Sequence, residues 1–436
     1  MKKALKIIAC TILLFPIGIL VYINIRLHTN PDLENQEETK QDVVRQLNFL
    51  CEGLKNNNLG AETQNLYPEG FVFINTLYGL TWAEVAKSEK SESELFKRGL
   101  FESRYAYKEI NSEYAKSIFD EELKPSFGIF YRGWKNYLLG KILAVQTKKD
   151  TSEIKEFKAS CDSIASAISQ SSTPFLESYW NASWPADAFV AVASLKLHDE
   201  IFEPKYDTII KNWILKVKSN LDTQTGLLSH ASNSKTGKTE VGARGSSICL
   251  MLIFLADIDP EFAQQQFKVF TEKFPITRFG FLAVREYPEG KDGKGDNDSG
   301  PIVWDIGFAG TVVSTGTFKK FGEYDAANQI SGCVEGFGFP LSNGNQKKYL
   351  FGKLPITDAF TAWARMQEPN KVVIQNKGIN TFDWGSTFLF HLVSLLVICI
   401  LTYLLWRRKI RRRNLNLSPP TSSASKIQQP LINSIQ

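Results

Sequence analysis

The sequence predicts an all-α protein whose main domain is an α/α toroid of the (α/α)6 type, with one transmembrane helix at each end. Three observations predict it. Between about residues 40 and 370 apolar residues recur with the helical period, and strand signals are few. Apolar-rich helices often precede more amphipathic ones, the pattern of an inner layer buried on all sides and an outer layer with one wet face. Two strongly apolar segments, 7–23 and 388–406, lie outside that domain.

The ends come first because they set the compartment. Ile7–Ile23 is a run of 17 residues interrupted only by Thr11, Pro16, Gly18 and Tyr22. No small-x-small cleavage site follows it before Arg26, so it reads as a retained anchor. Phe388–Trp406 has 19 residues, close to the ~20 that span a bilayer, and Trp384 and Trp406 flank it like an aromatic belt. Lys2, Lys3 and Lys6 precede the first segment and RRKIRRR (407–413) follows the second. The positive-inside rule then puts both termini in the cytoplasm and the body outside a plasma (inner) membrane. Eleven of the 51 basic residues sit in these ends, leaving 40 against all 46 acidic ones in residues 27–406. A net-acidic body lacks the basic face that nucleic acid needs. The expected partners are therefore the bilayer and a small-molecule or glycan substrate. The expected segments are an anchor (1–27), a tether (28–40), the toroid (41–370), a linker (371–387), a span (388–406) and a basic tail (407–436), disordered beyond Arg413.

Along the body, the spacing predicts helices over 42–54, 68–86, 128–145, 152–169, 185–198, 206–219, 244–258, 260–273, 301–319 and 357–365, one or two within 93–119 and a short one at 323–331. Pro68, Pro185, Pro260 and Pro301 each stand where a first helical turn tolerates proline. Asp298 and Ser299 precede Pro301 as capping residues, and Gly307, Gly310 and Ser314 form a small face for close backbone approach. Only YPEG recurs, at Tyr67 and Tyr287, which is too little for a solenoid. Six cysteines are too few for a disulfide scaffold, and the four outside the spans, Cys51, Cys161, Cys249 and Cys333, leave three pairings open. There is no CxxC and no His/Cys cluster, so no metal and no cofactor is expected. A calcium loop started at Asp296 in DGKGDNDSG would need a carboxylate at its twelfth position, where Gly307 stands.

In a toroid the pocket is lined by the starts of the inner helices and the loops before them. Four groups qualify: Trp180, Trp184 and Asp187; His230 with Glu240 and Arg244; Asp296 and Asp298; and Trp304 with Asp305. Tyr67, Glu69, Tyr131 and Trp134 add to the same mouth. The catalytic candidates are Asp305, Asp298, Asp187 and His230. Trp180, Trp184, Trp304, Asp296, Tyr131, Trp134, Arg244 and Tyr67 are the substrate-binding ones. Asp305, in the most apolar neighbourhood, is the expected acid, with Asp298 or Asp187 as base, because unlike environments push two carboxyl groups apart.

Three segments also resemble the linalool dehydratase/isomerase-like family of α/α toroid proteins. They are YRGWKNYLLG (131–140), WPAD (184–187) with the helix after it through Leu197-His198-Asp199, and DTQTGLLSH (222–230) followed by Gly237 and DIDPEF (257–262). The resemblance implies the toroid with a ligand pocket at one mouth. It departs at the family's acid–base histidine, where Trp134 stands, and at its two cysteines, near Ser183 and Val192. The same catalytic set is therefore not implied. Aromatic rings around carboxylates suit a sugar, so the leading expectation is an enzyme acting on a carbohydrate or polyhydroxy compound by carboxylate acid–base chemistry. A lyase or isomerase with a replaced catalytic set comes second, and a non-catalytic binding or envelope scaffold third.

Overall fold

A computed structural model describes residues 2–372 and 384–417. Within them the chain is all-α, with sixteen helices: α1 (Lys2–Arg26), α2 (Gln36–Asn56), α3 (Leu59–Gln64), α4 (Gly70–Lys87), α5 (Glu94–Ile110), α6 (Glu113–Lys116), α7 (Gly128–Val145), α8 (Thr151–Gln170), α9 (Pro185–Ile201), α10 (Asp207–Lys218), α11 (Gly245–Ile258), α12 (Pro260–Lys273), α13 (Phe308–Lys320), α14 (Tyr324–Phe337), α15 (Pro355–Arg365) and α16 (Trp384–Leu417). Four short antiparallel hairpins interrupt them: β1–β2 (Ala231–Ser232, Thr239–Val241), β3–β4 (Pro275–Arg278, Phe281–Val284), β5–β6 (Ile302–Val303, Ile306–Gly307) and β7–β8 (Leu341–Ser342, Lys347–Lys348).

Two compact units divide the chain. The smaller holds the residues up to 24 and those from 389 on; the larger is 25–388. Thr387–Arg407, inside α16, is the one stretch among the described residues long and apolar enough to cross a membrane, while the apolar part of α1, Cys10–Arg26, is shorter. Within the smaller unit the Asn24 side chain meets His391 Nδ1 at 2.5 Å.

In the larger unit α4, α7, α9, α11, α13 and α15 are almost wholly buried. Each packs on the next in that order, and α15 packs back on α4. The amphipathic helices α5, α8, α12, α14 and α2 lie against α4, α7, α11, α13 and α15 respectively, and α10 against α9. Glycines set the spacing. A methyl group at Gly133 would stand 3.0 Å from the Ala191 backbone, one at Gly310 3.1 Å from Gly245, and one at Gly316 3.1 Å from Ala364. Caps fix several starts: the side chains of Ser93, Asp150 and Asp259 accept from Phe96 N, Glu153 N and Phe262 N.

Three expectations about boundaries need correction. Residues 28–40 are no free tether: Leu33 is buried, its N–H donates to Asn328 (2.9 Å), and α2 already starts at Gln36 behind an Asn35 cap. At the other end α16 runs on through the basic run to Leu417. The expected linker beyond residue 372 and the tail beyond 417 fall largely on residues 373–383 and 418–436, outside the described residues. Residues 301–307 are a hairpin, not the start of a helix; Trp304 and Asp305 form its two-residue turn, with φ of 51° and 69°. All six cysteines are free, so none of the three pairings is made.

Burying a side chain between two backbones this close forces them apart. We expect Gly133→Val to cost about 1–3 kcal/mol, the usual penalty of overpacking. Thermal unfolding of the full-length protein followed by circular dichroism reads it, and an unchanged midpoint would show that α7 and α9 separate freely.

Candidate functional site

The starts of the six buried helices face one cavity of about 300 Å³. Phe73 comes from α4, Phe130 from α7, Asp187 from α9, Ser247 from α11, Phe308 from α13 and Phe360 from α15, each within the first turns. Leu250, Val312, Val313, Leu354 and Ile356 extend an apolar wall. Polar groups gather on one side, from Tyr67 and Glu69 before α4, Tyr179 and Trp184 before α9, His230 before α11, and Asn297 and Asp298 before α13. Among the described residues no Lys or Arg lines the cavity.

Asp187 lies in the first turn of α9, two residues after Pro185, and is 8% exposed. Its carboxylate accepts from the Ser178 hydroxyl at 2.5 Å. Helix dipoles favour its charged form, but burial outweighs them. Desolvation, with Glu69 and Asp298 nearby, pushes its pKa up to about 7 against the downward pull of Ser178. Burial and Asp298 also raise Glu69, which accepts from the Tyr179 hydroxyl at 3.1 Å. Asp298 is exposed at the rim; the surrounding protein and Asp296 push it up and Arg244 pulls it down. Tyr179 stacks on Phe119 and stands edge-on to Trp184, with ring centres 5.9 Å apart. His230 Nδ1 is 2.5 Å from the Ser247 hydroxyl oxygen. Burial and the Arg244 charge depress its pKa to about 4, so the imidazole is neutral at pH 7.

Arg244 stands behind this wall. Its Nε donates to Glu286 (2.8 Å), and its Nη1 holds Asp296. Burial works against the Asp296 charge, but hydrogen bonds from Arg244 and Ser299 win and hold its pKa down at about 2. Asp296 and Ser299 also bond each other reciprocally, at 2.9 and 3.0 Å. Fully buried Glu286 in turn accepts from the Ser246 hydroxyl and N–H at the start of α11. The Arg244 cluster thus clamps the loop that presents Asp298 to the helix that presents Ser247.

Of the fourteen residues singled out from the sequence, Asp187, Asp298, His230, Trp184, Tyr67 and Glu69 line the cavity together, whereas Glu240 is exposed on β2 and accepts from the Asn233 side chain at 2.8 Å. Arg244 and Asp296 do not line it but hold its wall. Tyr131 and Trp134 are core residues: the Tyr131 hydroxyl donates to Ile110 O (3.0 Å), and Trp134 packs behind Phe73 and Phe130. Trp180 is 54% exposed and donates to Asp120. Trp304 and Asp305 are on the surface. Asp305, expected to be the buried acid, is paired with Arg278 (2.6 Å) and Arg285 (3.2 Å), because the hairpin turn carries it out of the apolar segment. The sequence reading missed Tyr179 and Ser178, which belong to a loop without periodicity, and Glu286, at the end of a strand it did not expect. No protein-family model and no curated protein matches this chain.

The cavity can offer a proton from Asp187, accept one at Glu69, Asp298 or neutral His230, and enclose an apolar body. Its acid is also readable in the stability of the fold. An ordinary Asp loses its proton near pH 3.9, so between about pH 4 and 7 the unfolded chain has released a proton that folded Asp187 keeps. Stability therefore falls as pH rises through that window, by roughly 1.4 kcal/mol per unit from this group. We expect Asp187→Asn to flatten the fall in melting temperature between pH 5 and 7. An identical fall in the variant would mean that Asp187 is already ionised at pH 5.

Proposed function

We propose that this chain is a membrane-anchored enzyme of α/α toroid type that transfers protons at the polar end of a small, mainly apolar substrate, as a lyase or isomerase does. The observation that carries this is the buried Asp187, its pKa pushed up to about 7 by burial with the Glu69 and Asp298 carboxyl groups nearby, in an otherwise largely apolar cavity. Asp187 would protonate a hydroxyl so that the C–O bond breaks and water leaves. Glu69, Asp298 or His230 would take the proton from the neighbouring carbon as the double bond forms. Buried helices that pack in sequence and return to the first support the toroid, and with it the likeness to the linalool dehydratase/isomerase-like family. Trp134 at the family's histidine position fits a catalytic set moved to the loops. The rings of Tyr67, Tyr179 and Trp184 beside three carboxylic side chains favour a second reading, hydrolysis of a sugar. An open cavity speaks for a ligand over a pure scaffold.

Purified full-length protein offered panels of apolar alcohols and of glycosides tests the two readings. We expect turnover of an alcohol with an alkaline limb near pH 7, lost by more than about a hundredfold in Asp187→Asn, the scale of a general acid's contribution, and kept in Asp305→Asn. Turnover that survives Asp187→Asn removes the proposed acid. Turnover confined to glycosides selects the sugar reading.

The anchor reading puts both termini in the cytoplasm and the larger unit outside, on the charges at 2–6 and 407–413. A cysteine placed after Arg413 should resist a membrane-impermeant thiol reagent in intact cells and react once they are lysed. Labelling before lysis would invert the topology.

A further inference from the structure

The surface hairpins gather where the apolar helix begins. At the β3–β4 turn Gly280, with φ of 82°, lets the chain pass so close to Thr387 that a methyl group there would lie 2.2 Å from the Thr387 nitrogen. The Thr387 hydroxyl donates to Gly280 O at 2.9 Å. Thr387 is the first residue of the stretch able to cross a membrane. The preceding turn residue, Phe279, is 53% exposed and meets Trp304, 65% exposed, edge-on at 5.1 Å. Asp305 ties the two hairpins through Arg278 and Arg285, and Arg278 Nε also donates to Trp304 O. Both tips hold an aromatic residue at positive φ, a conformation a bulky side chain rarely takes without reason. Exposed Phe337, at the end of α14, packs on Phe281 of β4 one turn residue away. Next to it, Leu27 lies over Gly336, just after α1 ends.

We infer that the tips at Phe279 and Trp304 lie in the interfacial layer of the bilayer that α16 enters. The occupant of this apolar surface is the membrane because the tip is bonded to the first residue of the span. A residue in contact with Thr387 is held at the depth where the span begins. That depth is where Trp and other amphipathic rings collect. The inference deepens the proposed function, on whose anchor reading it rests. The β5–β6 hairpin springs from Gly300 and returns at Phe308, and both line the cavity. Four residues of extended chain, about 13 Å, separate the cavity wall from the tip. The cavity then opens beside the lipid, and its ligand is an apolar molecule that partitions into the membrane.

Photocrosslinking in native membranes tests this with the full-length chain. Benzoylphenylalanine replaces Phe279 or Trp304, both too exposed for the fold to depend on them, and separately Leu395 in the span and Phe101 on α5, which is exposed elsewhere. Lipid adducts at 279 and 304 several-fold above those at 101, together with strong adducts at 395, are the expected result. Adducts at 395 with none at 279 and 304 would overturn the inference and leave the anchor standing. Adducts to a protein or to a second copy of the chain at 304 would overturn it in favour of that partner. No lipid adduct at 395 would overturn the anchor reading and this inference with it.

Discussion

Where α7 crosses α9, Gly133 brings the two backbones within a methyl's reach, and Gly310 against Gly245 and Gly316 against Ala364 do the same for α11, α13 and α15. Helices this close fill the space between them with backbone and small side chains, and the large aromatics go elsewhere. Phe73 and Phe130 sit at the helix starts, where they wall the cavity. Six helices that start on one cavity also aim their unpaired N–H groups and dipoles at it, a field that favours negative charge. The carboxylic residues there are held in place by packing first, and their chemistry follows from how dry that packing leaves them.

Two aspartates show how far dryness and a cation divide the same side chain. Asp187 has a hydroxyl for a partner and no cation, and burial raises it to about 7. Asp296 has Arg244, and sits near 2 despite some burial of its own. Arg244 serves both outcomes: it neutralises the residues behind the wall, Asp296 and Glu286, and it adds to the burial that keeps His230 neutral. A different buried cluster, in which Asp42, Glu335, Lys347 and Arg365 pair with one another, binds α2, α14 and α15. Arg26, within the larger unit, joins it by a 2.5 Å bond to Glu335. The carboxylates there are pushed up by burial, yet Arg365 and Lys347 hold them below their ordinary values.

The helices were legible in the sequence because their signal is local. The expected 128–145, 260–273 and 244–258 fall within a residue of α7, α12 and α11. Pro185 marked a true helix start and Pro301 did not, and the residues after them explain the difference. Ala-Asp-Ala follows Pro185, whereas Ile-Val, both β-branched, follows Pro301 and suits a strand. The turn itself was hidden: Trp-Asp lacks the Asn-Gly or Asp-Gly signature of a two-residue hairpin. That one error moved Trp304 and Asp305 from surface to cavity and made a clamp look like an acid. His230 and Asp298 stand in loops ahead of the β1–β2 and β5–β6 hairpins that precede α11 and α13; Asp187, Trp184 and Tyr67 were legible because each stands just before or just inside a helix start. Tyr179 was not, since its place depends on the ring of Phe119, sixty residues earlier.

Trp134 makes the same point about distance in the site. Trp134 is a fully buried indole, its N–H without a hydrogen-bond partner, pressed on by Phe73, Phe130 and Phe254. An unpaired buried N–H is a standing cost of about 1–3 kcal/mol, and a histidine in such a setting would be held neutral by the same dryness. The indole packs behind Phe73 and Phe130, which line the cavity. Every titratable group of the cavity comes from the loops ahead of α4, α9, α11 and α13 or from their first turns. These are the segments most able to change without disturbing the helix contacts. Polar chemistry at the rim and apolar packing below are therefore separable. The carboxylic side chains can be retuned by the Arg244 clamp and the Ser178 hydroxyl while Gly133, Gly310 and Gly316 keep the helices where they are.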